Sequence, residues 1–368
     1  MSSAMRRLDS NVSRLARQAA NTERPMQLLM VTSPMSAPSA VTSFTAYLRK
    51  RSKYAQILHT ALHDVWEGDT HGGHCMNLRL EQRLGSSTNA TLFSMASAHD
   101  SAADDWHSFR IAVSKSQSTY GSSSSSLSID TIRNLCVLAE QCQHRTYIGL
   151  GKEDHKFRRD SSNGGSVLQT LAKQRVSLKT LLRKASKTPL KKPLWSKEQS
   201  VAMGLTIVSA FLELTPTDWV PDLMGSDEVF LVSPGASVDI QQLHVSAWFS
   251  SRSVVKHQSA KVAVDDRPKL LKLGIVLFEI LLLQTVESCR RPDYTIPDEC
   301  IFDMLTIDTY LRDPKRDMPA CFQQALRFCL ETWNKQAAEV DLVGITQQEM
   351  YTQVVIPFQQ EVRKAGPP

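Results

Sequence analysis

Residues His71, His74 and Cys75 belong to a His-Gly-Gly-His-Cys run, with His63 and Glu67 a short way upstream. Imidazole and thiolate ligands three or so residues apart suit Zn²⁺, and a closed tetrahedral site needs a fourth ligand. The Gly72-Gly73 pair marks a turn, and no second C-x-x-C or H-x-x-H half occurs. The run therefore reads first as a loop with incidental histidines, with a metal site as the alternative. A second feature is basic. Between Ser161 and Lys197 lie Lys173, Arg175, Lys179, Arg183, Lys184, Lys187, Lys191, Lys192 and Lys197, and no acidic residue. Such a stretch would attract nucleic acid or an anionic membrane. No aromatic residue is interleaved before Trp195, so bases would find no stacking platform, and a solvated helix face is the simpler reading. Ser122–Ser126 is a chain of hydroxyls that could accept phosphate or serve only as a tether. A Ser-His-Asp hydrolase has no support, since no G-x-S-x-G occurs.

These residues need elements to position them, and the chain is long enough to supply them. Its 368 residues allow about two to three domains, and 42% hydrophobic with 22% charged residues is ordinary for a globular protein. The net charge of +6 speaks to weak anion attraction rather than to fold. The seven cysteines are odd in number and lack C-x-x-C spacing, and most lie among apolar helical residues. Free thiols behave there as small hydrophobes, which implies a reducing compartment. No apolar h-region opens the chain, so a cytoplasmic or nuclear location is expected. Met5, Leu8, Val12 and Leu15 recur at helical spacing among Arg6, Arg7, Arg14 and Arg17. A partner-seeking helix is the first reading of that start, and a mitochondrial presequence the second, against which Asp9 counts.

The most informative stretch is Pro268–Leu283, PKLLKLGIVLFEILLL. Apolar side chains on nearly every face predict a helix buried all round, with Gly274 allowing close packing. Lys272 and Glu279 interrupt it too often for a membrane span. Residues 23–45 read as linker, and Ala46–Trp66 as a packed helix. After Gly72-Gly73 the period falls to two, and Leu78–Leu80, Thr91–Met95 and Phe109–Val113 read as strands. Gly121–Ser126 is a loop whose composition builds no core. Ser128–Cys142 is helical, Tyr147–Leu150 a short strand, and Val176–Leu182 opens a helix that Ser177 would cap. Ser196 and Gln199 form a capping pair ahead of the apolar run Val201–Leu214. Pro216 and Pro221 force an extended loop, and Glu228–Val232 is strand-like. Met318–Trp333 and Gln347–Val362 are helical, the latter bent at Pro357. Strands followed by helices make the fold class α+β.

This order and several local sequences resemble a protein kinase. Leu138–Gly151 resembles the end of the kinase C-helix and its following strand. Ser177–Leu182 resembles the first helix of the helical lobe, Ser196–Leu214 the helix before the catalytic loop, and Pro268–Leu283 the central helix. Trp195-Ser196, Trp219, Arg267–Leu282 and Phe328-Cys329-Leu330 resemble a fungal family of unknown function. Its members carry a degenerate kinase-like (pseudokinase) domain, often behind a helical domain of the type found in fungal prion- and cell-death-associated proteins. The resemblance covers about residues 46–362. It implies a degenerate kinase-like fold, with an N-terminal helical extension and linker over 1–68, a small antiparallel sheet lobe with one helix over 69–160 and a helical lobe over 161–368.

The same resemblance shows what is altered. Phosphoryl transfer needs a phosphate-cradling loop, a lysine, a base and metal ligands. No G-x-G-x-x-G lies between the strands, and Ser114 falls at the strand-lysine position. Lys115 is next to it and, by the alternation of a strand, on the opposite face. Glu140 sits too late in its helix for the usual ion pair, and Lys269 replaces the central helix's buried aspartate. Val220-Pro221-Asp222-Leu223 aligns with H-R-D-L, and Asp227 falls where kinases place a metal-binding asparagine. Asp222 is thus a candidate base and Asp227 a candidate metal ligand, unless Asp222 merely follows a proline in a turn, which is the preferred reading. Asp239-Ile240-Gln241 is the nearest stand-in for D-F-G. A non-catalytic pseudokinase-like interaction module with a protein partner is expected, with no cofactor beyond vestigial ATP and Mg²⁺ binding. A divergent active kinase or a basic adaptor for nucleic acid or membrane are the alternatives.

Overall fold

The computed structural model describes residues 38–66, 74–80, 90–99, 107–114, 147–150, 157–160, 174–187, 193–219, 225–233, 243–249, 267–291, 296–335 and 345–365. Two compact units are distinguished, residues 1–42 and 43–368. Of the first, only the opening turn of helix α1 is described, and the remaining elements belong to the second.

Helix α1 runs Pro38–Trp66. It begins eight residues before the expected start, inside the stretch read as linker. Pro38 takes the first helical position, where a missing N–H costs nothing. Strands β1 (His74–Arg79), β2 (Ala90–His99) and β3 (His107–Ser114) follow, then β4 (Tyr147–Leu150) and β5 (Phe157–Asp160). Next come β6 (Gln174–Ser177), α2 (Leu178–Lys187), α3 (Lys197–Leu214), β7 (Val229–Ser233) and β8 (Leu243–Phe249). Val176, expected in a helix, is in β6. The strands β5, β6 and β8 were not expected from sequence; β5 and β6 are only four residues long.

The described strands form one sheet in the order β5-β4-β3-β2-β1-β8-β7-β6. Neighbours pair antiparallel except β3 and β4, which are parallel. A parallel pair needs a long crossover, and residues 115–146 supply its length. The expected helix Ser128–Cys142 and the serine run lie outside the described residues. Register puts Met95 opposite Leu78, Leu78 opposite Val245, and Val245 opposite Val229. All four are buried, so one apolar row crosses four strands. The sheet draws strands from both the 69–160 and the 161–368 regions.

The helical part is built on α4 (Arg267–Leu282), with α5 (Val286–Cys289), α6 (Glu299–Arg312) and α7 (Ala320–Trp333) after it. Leu270, Leu271 and Leu273–Ile280 of α4 are all buried, as the apolar pattern on nearly every face predicted. A Cβ on Gly274 would lie 3.1 Å from Cys329 Cβ of α7, so the glycine sets that close approach. Gly204 of α3 is tighter still, since a Cβ there would run into the Phe358 ring. Helix α3 starts as expected: the Ser196 hydroxyl accepts the Gln199 N–H at 3.2 Å, and the Gln199 side chain accepts the Ser196 N–H at 2.7 Å. At the end of the chain come α8 (Ile345–Met350), a π-helical turn (Tyr351–Val355) and α9 (Ile356–Ala365). The wide turn closes with the Ile356 N–H on the Tyr351 carbonyl, directly before Pro357, which has no N–H to continue a regular ladder. The fold is α+β.

Candidate functional site

The expected chemistry converges on the segment after Pro221, and its described part is the tight turn Gly225–Glu228. The Glu228 N–H donates to the Gly225 carbonyl at 3.2 Å, and the Gly225 N–H donates to Glu228 Oε2 at 2.7 Å. This turn abuts the start of α2. The Lys179 N–H donates to the Ser226 carbonyl at 3.1 Å, and the Thr180 N–H to the Ser177 hydroxyl at 3.2 Å. Two amides that a helix N-terminus leaves unpaired are thereby satisfied, one of them by the cap expected from sequence.

Lys179 then reaches across the seam. Its Nζ lies 3.1 Å from Asp227 Oδ2 and 2.8 Å from Glu287 Oε1 on α5. Arg183, one turn further along α2, is 4.0 Å from the same Glu287 oxygen. Partial burial pulls the lysine pKa down, but Glu287 and Asp227 more than offset it and hold it above its ordinary value. Burial works against the Glu287 carboxylate as well, and Lys179 overcomes it, so Glu287 sits below the usual range. The lysine is largely covered, with 18% of its side chain exposed, while Asp227 is open at 58%.

Close to this bridge lies Glu279, only 1% exposed, in the last turn of α4. Its Oε1 accepts the Val286 N–H at 2.9 Å, across the bend between α4 and α5. Leu283 makes that bend with φ 58°, a left-handed conformation that a branched side chain adopts at a cost. Burial raises the Glu279 pKa to about 7; the Ser226 hydroxyl, the Val286 N–H and Lys179 oppose the rise, and Glu287 adds to it. This carboxyl, with its pKa raised, is internal. Beyond α5, Arg290 donates to Asp303 of α6 at 2.7 and 2.9 Å, fastening the next segment.

Of the residues singled out from sequence, Asp227 is in this seam as the acceptor of a lysine. Asp222 and Asp239 lie outside the described residues. Lys269 is buried in the first turn of α4. His74 and Cys75 are the first two residues of β1, paired to His99 and Ala98 on β2. Their side chains, and His71 entirely, lie outside the described residues. Among those described, no group of three or more His, Cys, Asp or Glu side chains is placed to hold a metal ion. No described helix is long and apolar enough to cross a membrane. Of the basic run, Arg183, Lys184 and Lys187 are exposed on α2, Lys197 pairs with Asp317 at 2.9 Å, and Arg175 stacks 3.4 Å above the Phe230 ring.

A second polar junction was not anticipated. The Arg51 guanidinium of α1 donates to both oxygens of Glu213 on α3, at 2.7 and 2.8 Å. The Ser52 hydroxyl donates to the Glu213 carbonyl at 2.5 Å, and the Trp219 indole N–H to the Ala55 carbonyl at 2.8 Å. Gln56 adds a reciprocal pair with Asp218, at 2.7 and 3.0 Å. Helix α1 is thus fastened along about two turns to the end of α3. Sequence offered a hint: Glu213 is the lone acid in the apolar run Val201–Leu214.

No curated protein matches the chain. A family model described as a domain of unknown function, DUF7580, matches residues 45–365. That span takes in the body of α1, the sheet, the Lys179 seam and the helices through α9, and the chain belongs to the DUF7580 family.

Proposed function

We propose that this chain is a non-catalytic interaction and signalling module with a degenerate kinase-like body, working through a protein partner in a fungal intracellular pathway. The observation that carries the reading is the Lys179 bridge. The carboxylate at the metal-ligand position of the resemblance, Asp227, is an ion-pair acceptor beside a second acid, and that bridge ties α2 to α5. A seam built this way holds elements together, and the α1–α3 junction is a second fastening of the same kind. Neither needs nucleotide. The test is thermal unfolding with and without ATP, Mg²⁺ and Mn²⁺. A ligand at 100 times its dissociation constant adds about 2.7 kcal/mol, a rise of several degrees in a domain of this size. A flat result is expected. A metal-dependent rise accompanied by phosphate transfer that is lost in Asp222→Asn would replace this reading with a divergent kinase using Asp222 as base and Asp227 and Asp239 on Mg²⁺.

A second reading, a basic adaptor for nucleic acid or membrane through Lys173–Lys197, is favoured by the exposed Arg183, Lys184 and Lys187. It requires binding to anionic ligand at low salt that charge reversal at Lys191 and Lys192 abolishes.

A further inference from the structure

Helix α2 is held to the body by its first half. Leu178 and Leu182 are its buried residues, and Lys179 is engaged by Asp227 and Glu287. No residue of α2 after Leu182 is buried. The spacing of Thr180, Arg183, Lys184 and Lys187 brings them to one face. All four are exposed, and α2 has no acidic residue. Ser186 is exposed as well, in the last turn, and its hydroxyl donates to the Arg183 carbonyl at 3.0 Å. The hydroxyl thus follows an arginine by three positions and a lysine by two, with another lysine directly after it.

We propose that Ser186 is a phosphorylation site, with ATP as donor and a separate protein kinase whose substrate groove is acidic as catalyst. Arg183 and Lys184 supply the charge that such a groove selects. In the step, Ser186 Oγ forms a bond to the γ-phosphorus as the bond to the β,γ-bridging oxygen breaks. ADP leaves with that electron pair, and the hydroxyl proton passes to the modifying enzyme's carboxylate base. The product carries about 1.5 to 2 negative charges among three cations, cancelling most of the basic face. A phosphate at the C-terminal end of a helix also opposes the dipole there. Residues 183–187 can unwind in response, because no buried side chain follows Leu182. The inference stands whether or not the basic face is itself a docking surface.

The full-length chain is incubated with Mg²⁺-ATP and a purified kinase that selects arginine three residues before its acceptor, and phosphopeptides are mapped. The expected result is phosphate on Ser186, absent in Ser186→Ala, with initial incorporation about tenfold slower in Arg183→Ala as one charge-assisted contact is lost. Both substitutions are at exposed positions, and unchanged thermal midpoints would show that each variant is folded. Amide exchange over residues 184–187 should quicken in the phosphorylated protein. Phosphate confined to other serines of the folded chain, or equal rates in wild type and Arg183→Ala, overturns the site; unchanged exchange overturns the unwinding.

Discussion

Glu279 is the residue whose chemistry is most displaced from water. It is buried and hydrogen-bonded to the Val286 N–H, and its pKa is raised from 4.5 to about 7. A carboxyl with a raised folded-state pKa favours the protonated form on folding. Its contribution is fully present below pH 4.5 and is lost as pH rises through about 7. Glu279→Gln keeps an acceptor for Val286 and removes the charge. The variant should therefore match wild type near pH 4 and melt higher at pH 8, by an amount on the order of a few kcal/mol in stability. Equal melting shifts at both pH values would show that Glu279 is not charged at the expense of the fold. Lys272 and Glu279 looked alike in sequence, as interruptions of an apolar run. Only the neighbours separate them, since Lys272 remains half-buried while Glu279 is enclosed by the Ser226 turn and α5.

At the scale of elements, α4 is the pillar that the apolar pattern foretold, and its packing depends on one missing side chain. Gly274 faces Cys329 of α7 with no room for a larger group. Gly274→Leu should destabilise by more than about 2 kcal/mol, because overpacking a tight core costs 1–3 or more. Denaturant unfolding checks it; a neutral result would mean that α4 and α7 separate readily. Gly204 plays the same part for α3 against Phe358, whose ring meets Phe322 edge-on at 4.9 Å between centroids. Capping was legible because it depends on residues three apart, as Ser196 with Gln199 and Ser177 with Thr180 demonstrate. The start of α1 was not, since the Ser-, Thr- and Pro-containing residues 38–45 read as linker from composition. Strands β6 and β8 were hidden for a different reason. Each pairs with a strand distant in sequence, β7 for β6 and β1 for β8.

At the scale of the molecule, α1 is joined to the body by the buried Arg51–Glu213 pair. Arg51→Met leaves a buried carboxylate uncompensated and should cost about 3–5 kcal/mol, whereas Arg51→Met with Glu213→Leu should recover most of the loss. The double-mutant cycle, measured by chemical unfolding, decides it: additive losses would mean that the two side chains are not coupled.

What the sequence alone determined is what local pattern encodes. The α+β class, the buried central helix, its close-packing glycine, two helix caps and most element positions follow from apolar period, capping spacing and glycine placement. The family model spans residues 45–365, and the resemblance to the fungal family covers about residues 46–362. Tertiary structure decided which charges are spent on one another. Lys179 meets Glu287 over a separation of about a hundred residues, and Arg51 meets Glu213 over a still longer one. A charged residue's spacing along the chain carries no record of such a partner, because burial and ion pairing are set by which elements the fold brings together.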